Sequence, residues 1–148
     1  MESTVVVKIA AELMLAAVRL TGYPPADSLP NIHRVAPETV QQMACGRPCR
    51  VSALYDSTKG VYISNNFDLD QRFARSVLLH ELVHHLQRVH GQFGGEQDQC
   101  KRAHAEEVEA YWAQNMYLQQ YGMQLGFVPR MLPNTCQQAR PVHQPRIE

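Results

Sequence analysis

The run His80-Glu81-Leu82-Val83-His84 constrains this chain more than any other feature. It lies inside the apolar, helix-forming stretch 76–87. Residues four apart on a helix share one face about 6 Å from each other, so His80 and His84 can bind one tetrahedral Zn²⁺. Glu81 follows the first histidine directly and can reach a water molecule activated by the metal without being a ligand. The motif therefore predicts a zinc site with Glu81 as the general base.

The context of the motif favours a metal site over a chance match on an exposed helix. The motif overlaps an apolar stripe, which predicts that one side of the helix is buried; the stripe consists of Leu79, Leu82, Val83 and Leu86. His80 and His84 lie beside this stripe, where polar groups without partners are costly. A bound metal ion would satisfy both rings.

A third protein ligand is needed, and His90 is the first candidate. It stands where metzincins carry their third histidine, but this chain has Gln87 where those proteins have the glycine that turns the chain back to the metal. If the helix continues, His90 points to a different face, about 9 Å further along the axis. Gly91 is typical of a helix end, so His90 is better explained as a histidine of the last turn.

The second group of candidates lies in the stretch 101–114, which predicts another helix. Together with the first motif, its Glu-Ala-Tyr sequence resembles the gluzincins, in which a glutamate from a second helix completes the metal site. The resemblance implies Glu109 as the ligand, because Ala110 follows it and lets the two helices approach closely. Glu106, His104 and His90 stay open as alternatives, whereas Glu107 is expected on a solvated face.

The resemblance covers residues 60–121 and is strongest to small bacterial single-domain zincin-like proteins. It implies an α+β fold that is mainly helical, with a short antiparallel hairpin or sheet before the active-site helix. We expect residues 1–148 to form one zincin-like metallopeptidase domain with an irregular tail from about residue 126. In zincins the strand before the metal helix lines the cleft, which implies that 60–64 could bind an extended peptide by strand addition.

Helix and turn signals give the order of elements. They predict a helix over 4–20 closed by Gly22, an extended segment over 29–35, and a helical turn over 37–43. Strands over 50–55 and 60–64 with turn residues between them predict a hairpin. The metal helix is expected over 69–90 with Asp68 or Asp70 as its cap, and the second helix over 97–121.

Composition excludes several classes of protein. The net charge is zero, and no basic stripe indicates nucleic-acid binding. No apolar run approaches the roughly 20 residues of a membrane span. Four cysteines suit two disulfides and an oxidising compartment, although four separate thiols are the alternative; they are Cys45, Cys49, Cys100 and Cys136. A periplasmic or secreted location is expected if a signal peptide has been removed, and a cytoplasmic one otherwise.

These observations predict a zinc-dependent metallopeptidase acting on a peptide or protein substrate. Three residues from the right regions are candidate oxyanion donors, namely Tyr62, Tyr111 and His104. The main alternative is a non-proteolytic zinc-binding module that uses the zincin-like fold to bind a partner. A metalloenzyme acting on another amide, and a helical domain without metal, are further alternatives.

Overall fold

The computed structural model describes residues 3–125, so the predicted irregular tail and Cys136 lie outside the described residues. The described part is α+β, as predicted. Its elements in chain order are α1 (Thr4–Thr21), β1 (Ile32–Val35), α2 (Pro37–Cys45), β2 (Ala53–Asp56), β3 (Gly60–Ser64), α3 (Arg72–His90) and α4 (Gln99–Gln119).

Helix α1 begins and ends where its sequence signals predict. Ser3 Oγ accepts a hydrogen bond from the Val6 amide at 3.2 Å, which caps the first turn. Gly22 takes the left-handed conformation at the other end, and its amide donates to the Val18 carbonyl. The residues that α1 buries are all apolar, so this helix serves as one wall of the core.

The three strands form one mixed sheet in the order β1-β3-β2. Strands β2 and β3 are the predicted antiparallel hairpin, and Asp56 Oδ1 accepts hydrogen bonds from the amides of Thr58 and Lys59 in the turn. Strand β1, which sequence indicated only as an extended segment, pairs in parallel with β3. Because β3 is paired on both sides, the prediction that it binds peptide by strand addition is wrong.

Close approach of β1 and β3 depends on Gly60. Its φ of 106° lies in a region that residues with a side chain rarely adopt. A Cβ atom at this position would lie 2.3 Å from the carbonyl oxygen of Asn31. The neighbouring Val61 amide donates to that same oxygen at 2.8 Å. Glycine thus lets the start of β3 reach the chain that leads into β1.

Helix α3 is the central element and packs against α1, α4 and the sheet. Nine consecutive residues, Ser76–His84, are buried, which covers every side of the helix and not only the predicted apolar stripe. The helix begins at Arg72, later than expected. Neither Asp68 nor Asp70 is its cap, because the N-cap residue is Gln71 and the Asp68 carboxylate accepts from the Asp70 amide within the preceding turn. Gly91 ends the helix as predicted.

Two further observations complete the fold. Cys45 and Cys49 form a disulfide that closes a short ring at the end of α2, and no cysteine of the described residues is free. The second expected disulfide is not described, because Cys136 lies outside the described residues. Among the helices within 3–125, none combines the length and apolar character needed to cross a membrane.

Candidate metal centre

His80 and His84 lie on consecutive turns of α3 and point their Nε2 atoms at a common centre. These two atoms are 3.2 Å apart. Their rings meet edge to face, with centroids 4.9 Å apart. The helix is buried here, so that His80 has no exposed surface and His84 only 3%. The predicted pair of imidazoles is therefore assembled inside the protein.

The third group at this centre is Glu107 of α4. Its Oε1 atom lies 3.3 Å from His80 Nε2 and in direct contact with His84 Nε2. Only 18% of the Glu107 side chain is exposed, so it does not belong to the solvated face that sequence indicated. Among residues 3–125, the two histidines and Glu107 are the one group of His, Cys, Asp or Glu side chains arranged to hold a metal ion.

Glu109, which the resemblance favoured as the ligand, takes a different place. Its carboxylate accepts hydrogen bonds from Gln87 Nε2 at 3.0 Å and from the Tyr23 hydroxyl at 2.5 Å. Two positions along a helix correspond to a rotation of about 200°, so Glu107 and Glu109 cannot face the same histidines. The phase of α4 follows its buried face, in which Tyr111 and Gln114 lie one and two turns after Glu107.

Two of the three spacings within this group fit a tetrahedral ion, whereas Glu107 Oε1 and His84 Nε2 are in direct contact. Two nitrogen ligands at their usual distance from zinc lie about 3.3 Å from each other. The Nε2 atoms of His80 and His84 are 3.2 Å apart, and His80 Nε2 is 3.3 Å from Glu107 Oε1. Two imidazoles and a carboxylate are also the donor set that binds such ions in proteins. The group can therefore hold a metal ion.

The ring of His80 is oriented by a glutamine amide. His80 Nδ1 lies 2.9 Å from Gln114 Oε1, and Gln114 Nε2 donates to Ser76 Oγ at 3.1 Å. The Ser76 hydroxyl gives its own proton to the Phe73 carbonyl at 2.6 Å, so it accepts from Gln114. The amide oxygen must then face His80, which requires a proton on Nδ1 and directs Nε2 toward the centre.

A second glutamine orients His84 in the same way. Gln87 Nε2 donates to the Glu106 carbonyl at 2.9 Å and to the Glu109 carboxylate at 3.0 Å. Both partners only accept, so Gln87 Oε1 must face His84 Nδ1, which it contacts at 2.8 Å. His84 Nδ1 therefore carries the proton. Both imidazoles are held in the tautomer whose Nε2 is available to a metal ion.

The surroundings of Glu107 and Tyr23 shift the pKa values of these two side chains in opposite directions. Burial alone raises the pKa of the Glu107 carboxyl, but in the metal-free protein the charge of the adjacent His84 and His80 rings, when they are protonated, outweighs burial and holds that pKa well below its ordinary value. Burial, followed by the hydrogen bond to Glu109, raises the pKa of Tyr23 far above its usual range. Tyr23 therefore stays a protonated donor, and Glu107 stays an anionic ligand at neutral pH.

Of the other predicted site residues, some lie near His80 and Glu107 and one lies on the far face of the sheet. Glu81 is fully buried on α3 beside His80, and the Tyr111 ring packs against the His80 ring with centroids 4.3 Å apart. His104 lies one turn before Glu107 on α4. Tyr62 lies on the face of the sheet opposite Val61 and Ile63 and stacks on His33, so it faces away from α3.

His90 takes no part in the group around His80. It lies in the last turn of α3, as the glycine after it predicted. Its Nε2 contacts the Pro24 carbonyl oxygen at 2.7 Å, and its ring stacks on Tyr23. The alternative in which His90 is the third ligand is therefore wrong for this arrangement. His90 instead holds the segment after α1 against the end of α3.

Sequence reasoning missed several residues of the site. They are Glu107, the two orienting glutamines Gln87 and Gln114, and their partners Ser76 and Tyr23. For Glu107 a signal existed, because Glu107, Tyr111, Gln114 and Leu118 recur at helical spacing and share one side of α4. For Tyr23 no local signal exists, since it reaches the site from a loop 64 positions earlier than Gln87.

Comparison with known proteins gives a family. No curated protein and no solved structure matches the chain. One family model matches residues 8–144, and it is described as a domain of unknown function, DUF6647. This match begins within α1 and covers all the later described elements, including both helices of the candidate metal centre. The chain therefore belongs to the DUF6647 family.

Proposed function

We propose that the protein is a zinc-dependent peptidase. The observation that carries the proposal is the convergence of His80, His84 and Glu107 in a group that could hold a metal ion, with Glu81 buried directly after the first histidine. His2Glu is a ligand set of catalytic zinc sites, which keep a fourth position open for water or substrate. Structural zinc sites more often use four protein ligands, so three convergent groups favour a catalytic role.

The chain supplies the remaining parts of a hydrolytic site. A zinc ion bound here would polarise the scissile carbonyl and make a water molecule acidic near neutral pH. Glu81 accepts the proton of the attacking water and passes it to the leaving nitrogen. Gln87 and Gln114 hold the two imidazoles in their binding tautomer. Tyr111, packed on His80, is the best placed of the three candidate oxyanion donors.

Metal analysis is the first test. Protein purified without added zinc and without chelators should contain about one equivalent of zinc per chain. Glu107→Ala should lose most of that metal, whereas Glu12→Ala, on the exposed side of α1, should retain it. A wild-type protein with no bound transition metal that also fails to take up added zinc would exclude the proposal.

Cleavage of a peptide library is the second test. Wild-type protein should cut peptides, and Glu81→Gln should bind zinc normally while cutting at least about 100-fold more slowly, since general-base catalysis contributes 10²–10⁴-fold. Glu12→Gln is the matched control and should cut as the wild type does. Equal cleavage by Glu81→Gln would exclude Glu81 as the base. Zinc binding without cleavage of any peptide would favour the non-proteolytic metal-binding module.

A further inference from the structure

His84 is oriented by a longer chain of hydrogen bonds than His80. Behind His80, the contacts run through Gln114 and Ser76 and end on the Phe73 carbonyl within α3. Behind His84, they run from Gln87 to the Glu109 carboxylate on α4 and on to the Tyr23 hydroxyl, which lies just after α1. Only the second chain contains a charged group and joins three separate parts of the fold.

We propose that Gln87, Glu109 and Tyr23 form a positioning relay for His84, which couples metal binding to docking of the segment after α1. The inference rests on the metal centre put forward above. Gln87 and Tyr23 are buried, with 2% and 8% of their surface exposed. Glu109 Oε1 accepts from both, and hydrogen bonds to a charged acceptor are roughly twice as strong as neutral ones.

The charge on Glu109 explains how the relay acts on the metal ligand. A carboxylate that accepts from Gln87 Nε2 polarises the amide and makes Gln87 Oε1 a better acceptor. That oxygen accepts from His84 Nδ1–H, so the relay increases the electron density on the ring and strengthens Nε2 as a donor to a metal ion. A carboxylate thus assists the histidine through an amide instead of contacting it.

Tyr23 connects this chemistry to the loop that leads to the sheet. Its ring stacks on His90 with centroids 6.0 Å apart, and His90 Nε2 contacts the Pro24 carbonyl oxygen. Its hydroxyl donates to Glu109 at 2.5 Å. If metal binding orders the side chains of the relay, this ordering should therefore extend to residues 22–28. By reciprocity, if metal binding favours docking of this segment, docking favours metal binding by the same factor, so loss of the Tyr23 hydroxyl should weaken metal binding.

Three variants test the relay through zinc affinity, measured by competition with a chromophoric chelator. Gln87→Met removes the amide and should weaken zinc binding about 10–100-fold. Glu109→Gln keeps the acceptor but removes the charge, and Tyr23→Phe removes only the hydroxyl; each should weaken binding by a smaller factor of about 3–10.

Hydrogen exchange separates a relay from a merely structural role. Zinc should slow amide exchange of residues 22–28 in the wild type. It should do so also in Gln114→Met, where the relay behind His84 is intact although zinc binding is weaker. In Gln87→Met, zinc at saturating concentration should leave exchange of this segment unchanged. Denaturation in the presence of chelator checks that each variant folds. If Gln87→Met does not fold, Tyr23→Phe and Glu109→Gln, which are close in shape to the wild-type side chains, still test the relay.

The outcomes distinguish this inference from the proposed function. If wild-type protein binds zinc and cuts peptides while all three variants bind zinc as tightly as it does, the relay is wrong and the peptidase stands. If the variants bind zinc weakly but saturating zinc slows exchange of residues 22–28 as much in Gln87→Met as in wild type, Gln87 acts by packing and the relay is wrong. If wild-type protein binds no zinc, the metal centre itself is wrong.

Discussion

Helix α3 is buried on two sides that differ sharply in chemistry. Toward α1 it meets a helix whose buried residues are all apolar. Toward α4 it meets Glu107, Tyr111 and Gln114, which contact His80 and its neighbours through hydrogen bonds and ring packing. Both sides bury most of their side chains, although 18% of the Glu107 side chain is exposed, so burial alone does not distinguish a core from a site. The difference is that the polar side is ordered by directional contacts and offers a cation its ligands.

The largest expected loss of stability comes from a substitution among the buried apolar residues of α3. Leu79→Ala removes a side chain with no exposed surface and should lower the free energy of unfolding by about 2–5 kcal/mol, because it leaves a cavity. Denaturant titrations with chelator and with zinc should give the same loss. Leu15→Ala is the matched control, since Leu15 is 67% exposed, and should change stability by no more than about 0.5 kcal/mol. Equal losses for both would contradict this assignment of the core.

Zinc removal tests the polar side. At 100 times its dissociation constant, zinc should raise the free energy of unfolding by about 2.7 kcal/mol, because it binds the folded chain only. A chelator should reverse this gain, and Glu107→Ala should abolish it. The gain should persist in Leu79→Ala measured at a temperature where that variant is folded. If zinc does not change the unfolding curve of the wild-type protein, the claim that the polar side of α3 binds a cation is wrong.

Ser76→Ala probes the polar side without touching a ligand. Ser76 has no exposed surface, and its hydroxyl accepts from Gln114 Nε2. Its loss leaves that buried amide hydrogen without this acceptor and should cost about 1–3 kcal/mol. Ser57→Ala, in the exposed turn before β3, is the control and should be nearly neutral. Thermal unfolding of both variants with chelator measures the difference, and a neutral Ser76→Ala would contradict the orientation of Gln114.

The smallest expected effect on stability comes from the hairpin turn, which lies away from both sides of α3. Asp56 accepts three hydrogen bonds in the turn; those from Thr58, side chain first, lower its pKa most. A lowered pKa in the folded state adds stability above the unfolded value of about 3.9, and this stability is lost as pH falls through the folded value. Asp56→Ala should cost about 1 kcal/mol at pH 7. The difference from wild type should shrink below about pH 4, and a pH-independent difference would contradict this role.

Sequence predicted the apolar framework and the motif because both depend on local chemistry. The ends of α1 and α3 follow from glycines that take the left-handed conformation after each helix. The hairpin follows from turn residues between two short strands. The place of β1 could not be predicted, since its parallel pairing joins segments almost 30 positions apart and leaves no periodic signal in either.

The choice between Glu107 and Glu109 shows where sequence reasoning stopped at the site. Both carboxylates lie on a strong helix, and resemblance to the gluzincins favoured the one followed by alanine. Which of them faces His84 depends on the rotation of α4 about its axis, and packing against α3 sets that rotation. In the structure Glu107 faces the two histidines, and Glu109 accepts hydrogen bonds from Gln87 and Tyr23. Glu109 therefore lies close to the candidate metal centre without being part of the group that could hold the ion.

The contact between Gly60 and Asn31 has a consequence for how this chain can vary. A methyl group at position 60 would overlap a backbone oxygen, and no rotation of a side chain could relieve that overlap. Either β1 would move away from β3 or the hairpin would shift its register. The hairpin and the amino-terminal third of the chain must therefore change together, and a sequence with a larger residue at this position would need a different path into its first strand.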